Sequence, residues 1–349
     1  MPDSAKEGQR QTSTLRRVLG LWDLVLYGII VIQPTAPMPV FGVVSDRAHG
    51  HVATAVLIAM VAMLFTAVCY GRMARVYPSA GSAFTYVGKE IHPAIGFVTG
   101  WGMVMDYLLN PLICTILCAQ LARNFAPGLP FVWAAVFFAG LFTGMNLLGM
   151  RATARINNTL ALGMGAVIAV FFVIASEYIF SHPHGSSGFF VHPLYDPNTF
   201  QLKAVLSGTS LAVLTYIGFD GISTLSEEAK NPERDILLAT VLVCVVTGVL
   251  AALEVYAAQL VWPVPKPFPN VETAFVHVAG LAGGAWLLHL VNATLLVATV
   301  GSGMDRNLGP LACSMQWAEA TRSRHRSSRK STRTGTSHGM ASCSPVHWR

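Results

Sequence analysis

Eight apolar runs, at 22–44, 53–72, 94–122, 131–150, 156–180, 204–225, 236–262 and 282–303, restrict this 349-residue chain more than any other feature. A membrane span needs about 20 predominantly apolar residues, and each run supplies that or close to it. Only 11% of the residues are charged, against roughly 25% in soluble domains, and 53% are hydrophobic with a mean hydropathy of +0.53. The expectation is an all-α integral membrane protein of about eight spans, surrounded by lipid.

Basic residues orient it. With the N-terminus in the cytoplasm, the inside segments carry Lys6, Arg10, Arg16, Arg17, Arg72, Arg75, Lys89, Arg151, Arg155, Lys230 and Arg234. The outside segments carry only Arg47, Arg123, Lys203 and Lys266. That asymmetry is the positive-inside bias. The net charge of +6 does not mark a nucleic-acid partner, because 8 of the 23 Lys and Arg lie beyond Asp305 and most others end apolar runs. The first 21 residues lack the apolar core of a signal peptide and read as a retained cytoplasmic tail. Residues 22–304 form the membrane domain and 305–349 a basic tail. Cys114 and Cys118 share a helix face but lack the further Cys or His of a zinc site, so core packing is the reading. His182, His184 and His192 lie in a polar loop without helical spacing and read as solvated. No metal, disulfide or cofactor is assigned.

The first run is interrupted by Pro34, Pro37 and Pro39 within LYGIIVIQPTAPMPVFG. Proline removes a backbone donor and clashes with the preceding turn, so the helix must break. A break at bilayer depth survives only where protein buries it or a cavity receives it. The sixth run has a counterpart: Gly218 and Gly221 flank Asp220 in TYIGFDGISTLSEEAKNPERD. Glycine weakens a helix and an ionised carboxylate demands donors or water. The first and sixth spans lie five crossings apart, so one crosses outward and the other inward. That is the signature of inverted repeats with a substrate site between their discontinuous helices.

These residues resemble the amino acid, polyamine and organocation (APC) family of secondary transporters over roughly residues 15–304. LRRVLGLWDLVLYG, YGRMARVYPSAGSAFTYV, GFVTGW and GFDGISTLSEEAKNPERDI carry the likeness in order and spacing. YGIIVIQPTAPMPVFGVVS and MDYLLNP are similar to the putrescine importer branch. The resemblance implies two inverted five-helix repeats in a leucine-transporter-like bundle. Substrate would lie between the unwound parts of the first and sixth helices, here Gln33, Pro34, Thr35, Ala36 and Pro37 and Tyr216, Ile217, Gly218, Phe219 and Asp220. It implies secondary active import of an amino acid or polyamine such as putrescine across the plasma membrane, bacterial inner membrane included, often on a proton gradient. The fifth span lacks the lysine that some relatives carry, which leaves the coupling residue open.

Asp106, Asp220 and Glu254 lie within spans, where charge is costly and usually functional. Buried acid without a matching base suits a small cationic or zwitterionic substrate or a proton, and the three are the proton-coupling candidates. Asp106 and Asp220 are also expected to bind substrate. Against that, Asp220 could cap the second half of its helix, Asp106 could bond a freed amide, and Glu254 could face the outer vestibule. Tyr107, Asn110, Tyr216 and Phe219 are further cavity candidates, since aromatic faces suit an ammonium, although packing is the commoner role. No nucleophile with its base, phosphate loop or metal-binding helix marks an enzyme.

From Asp305 the apolar pattern gives way to Arg, Ser and Thr. A back-translation of DRNLGPLACSMQWAE with one G restored in front reads GSQLGAARLLYAMGR, which resembles the family's continuation after GSGM. The expectation is a one-base deletion near the codon for Met304, leaving the second repeat incomplete. A non-transporting remnant or regulatory fragment is therefore the alternative function. Reading the coding DNA at that codon checks it.

Overall fold

The first run bends where its prolines require. In the computed structural model, which describes residues 17–77, 82–147, 154–182, 188–226, 228–262 and 267–305, α1 (Leu21–Ile32) and α2 (Pro37–Arg47) meet at 57°. The helices that follow are α3 (Val52–Val76), α4 (Ser82–Glu90), α5 (Pro93–Phe125), α6 (Phe131–Leu147) and α7 (Ala154–Ser181). Next come α8 (Leu202–Ala212), a 3-10 turn (Val213–Tyr216), α9 (Gly221–Thr224), α10 (Pro232–Val261) and α11 (Ala274–Asp305). The basic tail from 306 and the N-terminal residues 1–16 lie outside the described residues.

Among the described residues, six helical segments are long and apolar enough to cross a membrane, and the bent α1–α2 pair makes a seventh. The fourth run, expected at 131–150, is described only to Leu147 as a shorter apolar helix of 17 residues. Two expectations change. The stretch between the second and third apolar runs, outside every expected span, contains α4. A Cβ on Gly96 of α5 would collide with the backbone of Gly88, so these helices meet backbone to backbone, as small residues permit. The eighth run, read from 282, begins at Ala274 and bends at Gly284, whose φ of 76° suits glycine. Its added turns bury Phe275, Val276, Val278 and Ala279.

The longest pairing joins α3 to α10. Gly71 lies against Leu237 and Gly248 against Met60, so the absence of side chains at two levels draws the axes together. At one end, the Ala53 N–H donates to Gln259 Oε1 at 3.0 Å, and Gln259 Nε2 donates to the Gly50 carbonyl. α1 packs on α9 and α2 on α8. The first half of one broken span thus meets the second half of the other, which makes the two antiparallel. Inverted direction, inferred above from the five crossings that separate the first span from the sixth, is present in the bundle.

Candidate functional site: two facing helix breaks

The first break satisfies its backbone locally. Gln33 closes α1 with φ 67°, an uncommon value for a residue with a side chain. Its N–H donates to the Ile29 carbonyl at 3.0 Å, and its own carbonyl accepts from the Ala36 N–H at 3.0 Å. Pro37 opens α2 and Pro39 falls in its first turn, where amide hydrogens have no intrahelical acceptor. Pro34 stands between the helices. All three prolines thus occupy positions at which a missing donor costs little.

From this break, side chains reach outward. Gln33 Nε2 donates to the Ala298 carbonyl on α11 at 3.0 Å. The buried Thr35 hydroxyl lies 3.4 Å from Met164 Sδ on α7. On α5, Asn110 Nδ2 lies 3.4 Å from the Ser302 carbonyl, one turn beyond Ala298. Gln33 and Asn110 therefore converge on one stretch of α11. Sequence reading missed Met164, Ala298 and Ser302, because two act through backbone carbonyls and the third is a methionine in an apolar run.

The second break is built on glycine. After the 3-10 turn, Ile217 is extended and Gly218 takes φ 117°, and the Gly221 N–H then donates to the Gly218 carbonyl at 3.0 Å. Asp220 precedes α9, yet its carboxylate makes no side-chain cap on that helix, which removes the capping alternative. Tyr216 is wholly buried and donates its hydroxyl to the Val56 carbonyl at 3.0 Å. Phe219 packs edge-on against Tyr70, ring centres 5.6 Å apart. These two aromatics hold the break against α3. Ser223 Oγ lies 2.9 Å from Ser82 Oγ, which ties α9 to α4.

The breaks are neighbours. A Cβ on Gly28 of α1 would come within 2.6 Å of Ile222 Cδ1, and one on Gly221 within 3.8 Å of the Tyr27 hydroxyl. Gln33, Pro34, Thr35, Ala36 and Pro37 on one side, and Tyr216, Gly218, Phe219 and Asp220 on the other, thus belong to adjoining segments. Asp220 is half-buried and Asp106 is exposed on α5, while the Tyr107 side chain lies outside the described residues. Glu254 differs from both aspartates: it is 0% exposed, and neither carboxyl oxygen has a hydrogen-bond partner. It faces the bundle interior and not an outer vestibule.

Elsewhere, Cys114 and Cys118 pack with Phe138 and Phe142, in keeping with a core role. His182 stacks on Tyr178 at 4.1 Å while His192 sits beside Gly188, and His184 lies outside the described residues. In the same polar segment the Asp196 carboxylate accepts from the Asn198 backbone N–H at 3.0 Å. That bond holds the carboxyl below its ordinary value.

A helical bundle with two facing broken spans and helices of membrane length defines a multi-pass membrane protein. The profile of the amino acid permease family matches residues 41–306, and the chain belongs to that family. It is 32% identical to the low-affinity putrescine importer of Escherichia coli K12, over 84% of this chain and 65% of that protein. It is 27% identical to a branched-chain amino acid permease of Bacillus subtilis, over 82% of this chain and 64% of that protein. A vacuolar cationic amino acid transporter of Arabidopsis thaliana is 26% identical, over 82% of this chain and 50% of its own length. The chain therefore spans less than two thirds of the length of these relatives. The family and these relatives are transporters, not enzymes.

Proposed function

We propose that this chain is part of a secondary active transporter that imports a small cationic or zwitterionic substrate, an amino acid or a diamine such as putrescine, across the plasma membrane on a proton gradient. The uneven distribution of Lys and Arg between the two sets of loops supports a cytoplasmic N-terminus. The observation that carries the reading is the apposition of two antiparallel broken spans with Asp220 at one break. A broken span leaves backbone dipoles pointing at the gap, and such gaps hold the substrates of transporters with discontinuous helices. Gln33, Pro34, Thr35, Ala36 and Pro37 would line one wall and Gly218 to Asp220 the other. Asp220 would receive the ammonium group, with Asp106, Tyr107 and Asn110 contributing from α5. Tyr216 and Phe219 shape the second wall from behind, since both are buried in packing.

Binding of labelled putrescine and of leucine to the purified chain in lipid nanodiscs tests this. A hydrogen bond to a charged group contributes about 1.5–3 kcal/mol, so Asp220→Asn should weaken putrescine binding by roughly tenfold to a hundredfold. Leucine, whose own carboxylate offsets its ammonium, should lose far less. Equal affinities in wild type and variant would remove Asp220 from the site, and no binding of either ligand would remove the proposal.

A further inference from the structure

Among the described residues, Glu254 is the one acidic side chain that the bundle encloses completely while giving it nothing to bond to. It lies on α10 two turns from Thr247 and three from Val243, on one stripe of that helix. Val243 on that stripe borders Gly28 of α1, and Thr247 is buried with its hydroxyl donating to the Val243 carbonyl at 2.7 Å. The stripe therefore looks into the bundle and towards the broken first span. Residues around Glu254 are small or apolar: Ala251, Val255 and Ala258 are at most 1% exposed.

The helices packed against α10 offer no countercharge. Their ionisable groups are Asp23 and Tyr27 on α1, Asp46 and Arg47 on α2, and Cys69, Tyr70, Arg72 and Arg75 on α3. Glu177 and Tyr178 on α7, Tyr216 in the 3-10 turn, and His277 and His289 on α11 are the others among the described side chains, those of Arg155 and Asp305 lying outside them. None is within hydrogen-bonding distance of either carboxyl oxygen. An unpaired carboxylate in such a place is far costlier than the neutral acid, which leaves only an uncharged O–H and C=O without partners. Nor is an organic ammonium the fitting ligand, because a side chain with no exposed surface leaves it no room. About one and a half turns further along α10, roughly 7.5 Å of helix rise, Gln259 and Leu260 line a pocket with His49, His51, His192 and Asp196. Protons from that end of the bundle thus have a short distance to travel.

We propose that Glu254 is a proton-binding site of this transporter, separate from the substrate-binding aspartates. It rests on the transport reading for its role but not for its existence. The step is one association: an O–H bond forms at the carboxyl when a proton arrives and breaks when the proton leaves. Nothing else is transferred. Movement of the broken first span against α10 would let water reach the carboxyl and release the proton.

Infrared absorbance of the chain in nanodiscs tests the site itself. The wild type minus Glu254→Gln difference should contain a protonated-carboxyl C=O band that shifts in heavy water, and Glu254→Asp should regain a band at a displaced position. A spectrum without that band overturns the inference. Glu254→Met guards against misfolding of the glutamine variant. Since no partner is lost, it should melt at or above the wild-type temperature and also lack the band; a large loss of stability would reveal native partners and overturn it equally. Proton uptake or release on adding putrescine, followed with a pH dye in weak buffer, should be lost in Glu254→Gln and Glu254→Met while putrescine still binds. Unchanged proton movement in either variant overturns the inference. If putrescine does not bind the wild type, the transport reading falls and the carboxyl band alone decides the site.

Discussion

Gln33 is where chain chemistry and bundle packing meet most closely. Its backbone takes a positive φ that most side chains avoid, and its amide reaches the Ala298 carbonyl on α11. Gln33→Ala removes that second bond to a carbonyl already engaged within α11, at a cost of about 0.5–1.5 kcal/mol. The expected result is a lower melting temperature in detergent, and Gln33→Glu should not rescue it because a carboxylate cannot donate. Gly42 is a stricter position. A Cβ there would collide with the backbone carbonyl of Val271, and backbone cannot rotate aside as a side chain can. Gly42→Ala should therefore destabilise by about 1–3 kcal/mol, whereas Gly102→Ala, with nothing within 4 Å, should be neutral or stabilising. Thermal unfolding of the two variants side by side measures the contrast. The acids show how far reading single residues goes. Asp106, Asp220 and Glu254 were all recognisable as charges in apolar runs, yet their environments range from exposed to wholly enclosed.

The broken spans are also tied together away from their breaks. Just before α1, the Val18 and Leu19 N–H groups donate to the Glu228 carbonyl at 2.9 and 3.1 Å, and the Lys230 N–H donates to the Leu19 carbonyl at 2.8 Å. This short parallel bridge ties the entry of the first broken span to the exit of the sixth. Leu19→Pro deletes one donor and should speed hydrogen exchange at Lys230 by roughly five- to tenfold, for a bond contributing about 1 kcal/mol. Unchanged exchange would show that the bridge carries no load. At the polar loop, stabilisation of the Asp196 anion has a defined sign. Its carboxyl titrates below the ordinary value in the folded chain, so its contribution is present above the unfolded carboxylate value and is lost as pH falls through the lowered one. Protection of the Asn198 amide, corrected for intrinsic exchange, should fall over that acid range. Asp196→Ala should show low protection throughout and no such transition. Breaks were legible in the sequence because proline and glycine act on their own backbone. α4 was not, because Gly88 interrupts its nine residues and close approach to α5 is what holds it.

Taken as a whole, the bundle belongs to a family of membrane transporters, and the match to that family ends at residue 306, beside the position where the apolar pattern gives way to the basic tail. The sequence by itself determined the approximate limits of most of the apolar helices, the two points where helices break, and the family. Each of these follows from local rules: a bilayer demands a minimum apolar length, and a missing amide hydrogen or an absent side chain acts within a turn of its own position. Only the tertiary structure decided that the breaks adjoin, that Tyr216 and Phe219 serve as packing behind one of them, and that Gln33 and Asn110 share a stretch of α11. It alone enclosed Glu254, since a side chain's solvent depends on helices far away in sequence, and glycines such as Gly71 and Gly248 determine how near those helices come.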